Sequence, residues 1–256
     1  MKKQALHLAL ALVCTLAAVQ PVLADEADAK RLFKAMTEYM ENQKTLTFDY
    51  DDILEIVTED GQKLQIAASG TVNLKRPDKL THSRHGGFAD VLMTFDGKTV
   101  TVLGKRANMY AQLEIPGTTD NLIDELRLKH GRPLPAADLL LSDAYEAMMA
   151  DVTDVKDLGA GVVGGVMCDS LAFRTDEIDW QIWIAQGDQP FPCRFVITSR
   201  LIDGSPQYSI QLRNWKTAVE LPDSIFTFTN ISGADQVELV EMEIDLPENM
   251  ATGESQ

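Results

Sequence analysis

Gly70-Thr71-Val72-Asn73-Leu74-Lys75-Arg76-Pro77 is the stretch on which the fold turns. Residues 72–75 alternate apolar with polar, the texture of a strand that shows one face to a core. Pro77 has no N–H to give to a ladder and ends it. Upstream the same texture begins at Leu46 and runs through Phe48 and Tyr50, Ile53-Leu54 and Ile56-Val57 to a turn at Asp60-Gly61, then back through Leu64, Ile66 and Ala68. That is the pattern of a hairpin. Downstream, strand-like runs follow at 80–84, 91–95, 99–103 and 109–113, with Asp96-Gly97 as a turn between two of them. Short strands joined by polar turns predict an antiparallel meander.

On the N-terminal side, Asp25 can cap a helix in which Ala29, Leu32, Phe33, Met36, Tyr39 and Met40 recur at steps of three and four, forming one apolar stripe. Beyond the meander, Thr119 caps a second helix bearing Leu122, Ile123 and Leu126 up to Gly131, and a third helix is predicted over 136–149. Strand texture returns at 162–173, 178–185, 195–200, 208–215 and 226–228, and 237–244 adds one more. Many strands with few helices cannot be covered in flat layers, so the sheet must close or curl around the helices. Curling leaves a trough lined by inward residues, a natural seat for an apolar ligand. The expected class is α+β.

The chain opens with Met1-Lys2-Lys3, an apolar run over 5–19 and Val22-Leu23-Ala24 before Asp25. This is the pattern of a secretory signal peptide over 1–24, cleaved near Ala24. The apolar run is shorter than the ~20 residues a spanning helix needs, and Pro21 interrupts it. Cys14 raises lipidation, but the bulky Val13 stands where that processing wants a small residue. The expected division is a signal peptide at 1–24, a single domain at 25–246 and a polar, frayed tail at 247–256.

With 256 residues, 45% of them hydrophobic, the chain can build a real core. Its formal charge of -16 repels phosphate backbones and anionic lipid headgroups, which argues against nucleic-acid partners, and no segment after the leader suits stable membrane insertion. No cofactor motif is visible. Gly159 to Gly165 is glycine-rich but precedes a strand instead of opening a helix, so it reads as a tight connection with close backbone approach. His82 and His85 stand at odd spacing and point to opposite faces, so they read as surface histidines and no metal site is expected. The carboxylates Asp49, Asp51 and Asp52 read as a solvated face.

Cys168 and Cys193 remain after the leader. An even count in an oxidising compartment favours pairing. A meander, however, would set them on strands separated by a third, roughly 9.6 Å apart, where disulfide alpha carbons are seldom beyond about 7 Å. The two arguments oppose each other.

Taken in order, the Gly70 to Pro77 stretch, Asp96-Gly97-Lys98-Thr99 and Phe226-Thr227-Phe228-Thr229 with Gly233 beyond resemble the periplasmic lipoprotein-carrier (LolA-like) family. The stretch from Cys168-Asp169-Ser170-Leu171-Ala172-Phe173 through Asp179-Trp180-Gln181-Ile182-Trp183-Ile184 to Pro190-Phe191-Pro192 is similar to an uncharacterised branch of predicted periplasmic proteins related to it. The resemblance implies an incomplete barrel of antiparallel strands, a half β-barrel, with helices covering the open side and an apolar cavity between. It also implies that Arg76 holds the cover closed by hydrogen bonding; the alternative is an ordinary ion pair at a strand end. Trp180 and Trp183, at odd spacing, cannot both face inward. Phe33, Met36 and Met40 are candidates to line the cavity or simply to pack a helix.

The function implied is a non-enzymatic periplasmic binding protein sheltering acyl chains of a lipid or lipidated protein. The alternative is an envelope signalling or scaffold module with a protein partner.

Overall fold

The computed structural model describes residues 26–132, 134 and 136–242, so the expected signal peptide and tail lie outside the described residues. After helix α1 (Glu26–Glu41) comes a long hairpin, β1 (Thr45–Val57) and β2 (Lys63–Lys75). It is followed by β3 (Lys79–Gly86), β4 (Asp90–Phe95), β5 (Thr99–Gly104) and β6 (Met109–Glu114). Helix α2 (Thr119–Leu128), a 3-10 turn (Ala137–Leu140) and helix α3 (Ala144–Met149) come next. A second meander, β7 (Asp154–Val163), β8 (Val166–Arg174), β9 (Ile178–Ala185), β10 (Pro192–Ser199) and β11 (Gln207–Thr217), precedes the short β12 (Asp235–Gln236).

Among the described residues twelve strands form one sheet in the order β12-β6-β5-β4-β3-β2-β1-β11-β10-β9-β8-β7. The two meanders meet where β1 pairs antiparallel with β11, Tyr50 opposite Leu212 and Asp52 opposite Ile210. Among the described residues, the β12–β6 pair is the one parallel pair. The end strands β12 and β7 do not pair, so the sheet is open. Register shifts interrupt the ladders at Thr47/Asp49, Asp157/Ala160 and Pro192/Arg194. Each such bulge bends its strand and adds twist, which is how a sheet this wide curls.

The inward face takes alternate residues of its strands. Leu46, Phe48, Tyr50 and Asp52 on β1, Val72 and Leu74 on β2, Met93 and Phe95 on β4, and Leu171 and Phe173 on β8 are all buried. Against the β7–β9 side lies α1, with Ala29, Phe33, Met36, Thr37 and Met40 buried. The Phe33 ring sits 5.3 Å from Phe173 and 5.2 Å from Trp180, and Phe173 stacks on Trp180 at 3.8 Å. Such aromatic pairs add about 0.5–1.5 kcal/mol each beyond the area they bury.

Several local expectations change: no strand forms over 226–228, where Phe226 ends a 3-10 turn (Asp223–Phe226), and within 237–244 Leu239–Glu241 is another 3-10 turn. Residues 136–149 do not form one helix. The Asp120 carboxylate takes the Ser142 N–H (3.3 Å) and its hydroxyl, which gives the backbone a partner outside a helical ladder, and the segment breaks into the 3-10 turn and short α3. The cap of α2 is Thr118, whose hydroxyl accepts from Asn121 N–H at 3.2 Å. Thr119 instead donates both its N–H (2.9 Å) and its hydroxyl (3.0 Å) to the Pro77 carbonyl, tying the start of α2 to the end of the opening stretch.

The glycine-rich run ends in the expected tight connection before a strand, but more of it is strand than expected. Its first part lies in edge strand β7, and Gly164-Gly165, both at positive φ, make the β7–β8 turn. A Cβ on Gly159, Gly161 or Gly165 would meet open space, so no close backbone approach is made there.

Candidate functional site

Between the inward faces of β1–β5 and β11 and the segment that follows β6 lies a cavity of about 550 Å³. Phe48, Val72, Leu80, Met93, Val102, Ile210 and Leu212 wall it, each an inward member of an alternating strand. Leu126 of α2, with Leu134, Ala136, Ala137, Leu139 and Leu140, covers it. Half-exposed Phe88 and buried Leu239 also contribute. The volume lies in the range of ligand sites, and the lining is overwhelmingly hydrocarbon.

Polar side chains are confined to few places in the lining. Asp52, 4% exposed, continues the inward row of β1, and its Oδ2 accepts from Arg84 Nε (3.4 Å) and the Tyr208 hydroxyl (3.3 Å). Its Oδ1 is buried without a hydrogen-bond partner among the described residues. Burial and the Asp52 charge both push the Tyr208 phenol well above its ordinary value, so it stays protonated and donates.

Beside it the Tyr50 hydroxyl lies 2.6 Å from His82 Nε2 and donates to the Ser83 carbonyl at 3.0 Å. With the phenol proton spent on that carbonyl, Nε2–H is the donor to the phenol oxygen. Enclosure, helped by the Arg84 charge, lowers His82 from 6.5 to about 4, so it is neutral at neutral pH.

Gly70 is what lets Tyr50 make this reach. A Cβ there would stand 1.9 Å from the Ser83 carbonyl oxygen and 2.6 Å from the Tyr50 hydroxyl, so only glycine lets the phenol cross β2 to His82 on β3.

Two sequence readings are corrected here. His82 is not a surface residue but part of the cavity wall, whereas His85 is exposed and pairs with Asp90 at 2.8 Å. Asp52 is not on the solvated face. Asp49 and Asp51 are: Asp49 bonds Thr71 and Asn214 at 2.8 Å each, and Asp51 bonds Ser69 at 2.5 Å and pairs with Arg213. The signal was parity, since Asp52 follows Phe48 and Tyr50 at steps of two, as His82 follows Leu80.

Arg76 follows the end of β2, and its backbone N–H donates to the Lys44 carbonyl at 2.9 Å. Its Nε and Nη2 are buried without hydrogen-bond partners among the described residues. Burial lowers its pKa, and the charges of Asp120 on α2 and Glu41 on α1 oppose that shift.

Phe33, Met36, Met40 and Trp180 are brought together under α1 in the filled part of the sheet, and none of them lines the cavity. Trp183 is on the outer face, with the Arg194 guanidinium 5.4 Å over its ring. Trp215, which carried no expectation, does line the cavity. It packs 4.1 Å from Phe48 and donates its indole N–H to the Pro192 carbonyl at 3.0 Å.

Cys168 and Cys193 are buried thiols. They lie on β8 and β10 with β9 between, yet the two thiols interact: β9 stops at Ala185, opposite Cys168, and Cys193 is the extra residue in the β10 bulge. Burial and the neighbouring thiol push Cys193 up to about 12.

A second depression, of about 360 Å³ and polar, gathers Asp96, Thr101, Gln112 and Glu114 near Phe226. No group of three metal-ligating side chains occurs among the described residues.

Fold and cavity together define a class, an open antiparallel sheet curled over a few helices with a covered apolar hollow on its inner face. The chain belongs to the DUF2092 family, described as predicted periplasmic protein, whose model matches residues 29–240. Solved structures similar to it include the lipoprotein LppX of Mycobacterium tuberculosis, at 11% identity and a TM-score of 0.40, covering 77% of this chain and 100% of that one. MucB matches at 12% identity and 0.46, covering 79% of this chain and 63% of its own. The LolA superfamily protein NE2245 from Nitrosomonas europaea matches at 12% and 0.37, covering 78% and 97%. No curated protein matches the sequence. Among the described residues no helix is long and apolar enough to cross a membrane.

Proposed function

We propose that this is a non-enzymatic periplasmic binding protein that shelters the acyl chain of a lipid or lipid-modified protein. It would be exported by the leader at 1–24 and act as one unit over 25–246. The observation that carries the reading is the cavity of about 550 Å³, walled by strand side chains and covered by α2 and the 3-10 turn. An acyl chain entering it gains about 0.8 kcal/mol per methylene removed from water, which an aqueous compartment otherwise denies it.

In this reading Arg76 serves the cover. Its unspent donors lie near α1 and α2, where a guanidinium can hold carbonyls or carboxylates of a segment that must open and close. Titration of the exported form with a neutral, environment-sensitive naphthylamine dye tests the proposal. Saturable enhancement that an acyl amphiphile competes away supports it; linear, non-competed fluorescence contradicts it.

A protein-binding role is the second reading. It is favoured by Leu158, Val162, Val166 and Met167, exposed around the hairpin at the unpaired edge strand β7. Stable co-purification of one envelope protein, lost on replacing Val162 and Met167 by Ser, would support it.

A further inference from the structure

We propose that the Asp52, Arg84 and Tyr208 end of the cavity reads the head of its occupant and selects a neutral hydrogen-bond donor, the hydroxyl head of an uncharged amphiphile, over a carboxylate. The inference rests on the acyl-shelter reading and adds the head group to it.

Asp52 is the acid in an inward row that is otherwise Leu46, Phe48, Tyr50 and Leu54. Nothing in the packing of a greasy wall calls for a carboxylate there, and a buried one is costly unless its oxygens are met. Oδ2 is met twice, at 3.4 and 3.3 Å, and Oδ1 is not met at all. What the site lacks is therefore a donor. The neighbouring polar pair cannot supply it, because the Tyr50 proton goes to the Ser83 carbonyl and the His82 Nε2–H to the phenol oxygen.

Charge decides between donors. A carboxylate head at this end would face Asp52, while Arg84 is already shared with that residue and His82 is neutral. Two negative groups sharing the Arg84 guanidinium repel strongly in a low-dielectric hollow. An ammonium head would satisfy Asp52 but meet Arg84. A hydroxyl donates to Oδ1 and can accept from the guanidinium, leaving the net charge of the site unchanged. Arg132, on the covering segment, also lines the cavity. A carboxylate drawn to it would leave Oδ1 unmet, and the Asp52 variant separates that case.

The test is displacement of the neutral dye by 1-monolauroylglycerol and by laurate, chains of equal length, at pH 7.5. Wild type should release the dye at about tenfold lower monolauroylglycerol than laurate. The isosteric Asp52→Asn change should bring the two within about threefold, mainly by improving laurate. Equal displacement by the two in wild type overturns the inference while leaving the shelter reading intact. So does tighter laurate, or a gap that Asp52→Asn leaves unchanged. Failure of the dye and both amphiphiles to bind overturns the shelter reading as well.

Discussion

The two halves of the inner face use the same alternation and end differently. Under α1, the inward residues of β7–β9 meet a sixteen-residue helix whose Phe33, Met36 and Met40 are buried against them, with Phe33 wedged among Phe173, Trp180 and Tyr145. Across β11, the inward residues of β1–β5 meet only a ten-residue helix and a four-residue turn carrying leucines and alanines, and about 550 Å³ is left over. One half holds the protein together and the other is free to hold something else. Binding and stability should therefore come apart by mutation.

The largest effect should come from the filled half. Phe33→Ala is expected to cost about 3–5 kcal/mol in denaturant unfolding, with dye affinity per folded molecule unchanged. Loss of affinity without loss of stability would erase the contrast.

Next is the pH response of the hollow half. His82 has an ordinary value of 6.5, lowered to about 4 in the folded protein. Between these values the unfolded chain binds the extra proton, so the stability contributed by neutral His82 is fully present above 6.5 and is lost as pH falls toward 4. The contribution is on the order of 3 kcal/mol. His82→Gln, which keeps a partner for Tyr50, should flatten that part of the unfolding free energy against pH; an unchanged slope would mean the imidazole is not enclosed as described.

Filling the hollow is a sharper probe. Val102→Phe, on the inward face of β5, should weaken dye binding about tenfold while leaving the melting temperature the same or higher. The smallest effect is expected at the cover. Thr118→Ala removes the cap of α2 and should cost about 1 kcal/mol, seen as faster amide exchange in 119–128 and quicker dye release.

Much of the sheet was legible because alternation is local: Phe48 and Tyr50 already face one way, and the hairpin turn at Asp60-Gly61 is where β1 and β2 join. For abundant carboxylates a solvated face is the default expectation, and at Asp52 the parity of β1 overrides it. Strand β7 escaped notice because only Val155 on it is buried and glycines interrupt it, as suits an edge. The helix read over 136–149 failed through a contact no window can show, the Asp120 carboxylate holding Ser142 from twenty-two residues away. The Cys168–Cys193 approach depends likewise on where β9 ends and on a bulge. That the hollow lies away from Phe33, Met36 and Met40 is a matter of which helix covers which strands, and an apolar stripe says only that it will be covered.

The central claim, that the unfilled half is a seat for hydrocarbon, is tested most directly by mass spectrometry of organic extracts from the exported protein. Wild type should yield an acyl lipid in about one-to-one ratio with protein, and Val102→Phe should yield little. A wild-type protein that carries no lipid, and takes up none after incubation with lipid vesicles, would contradict it.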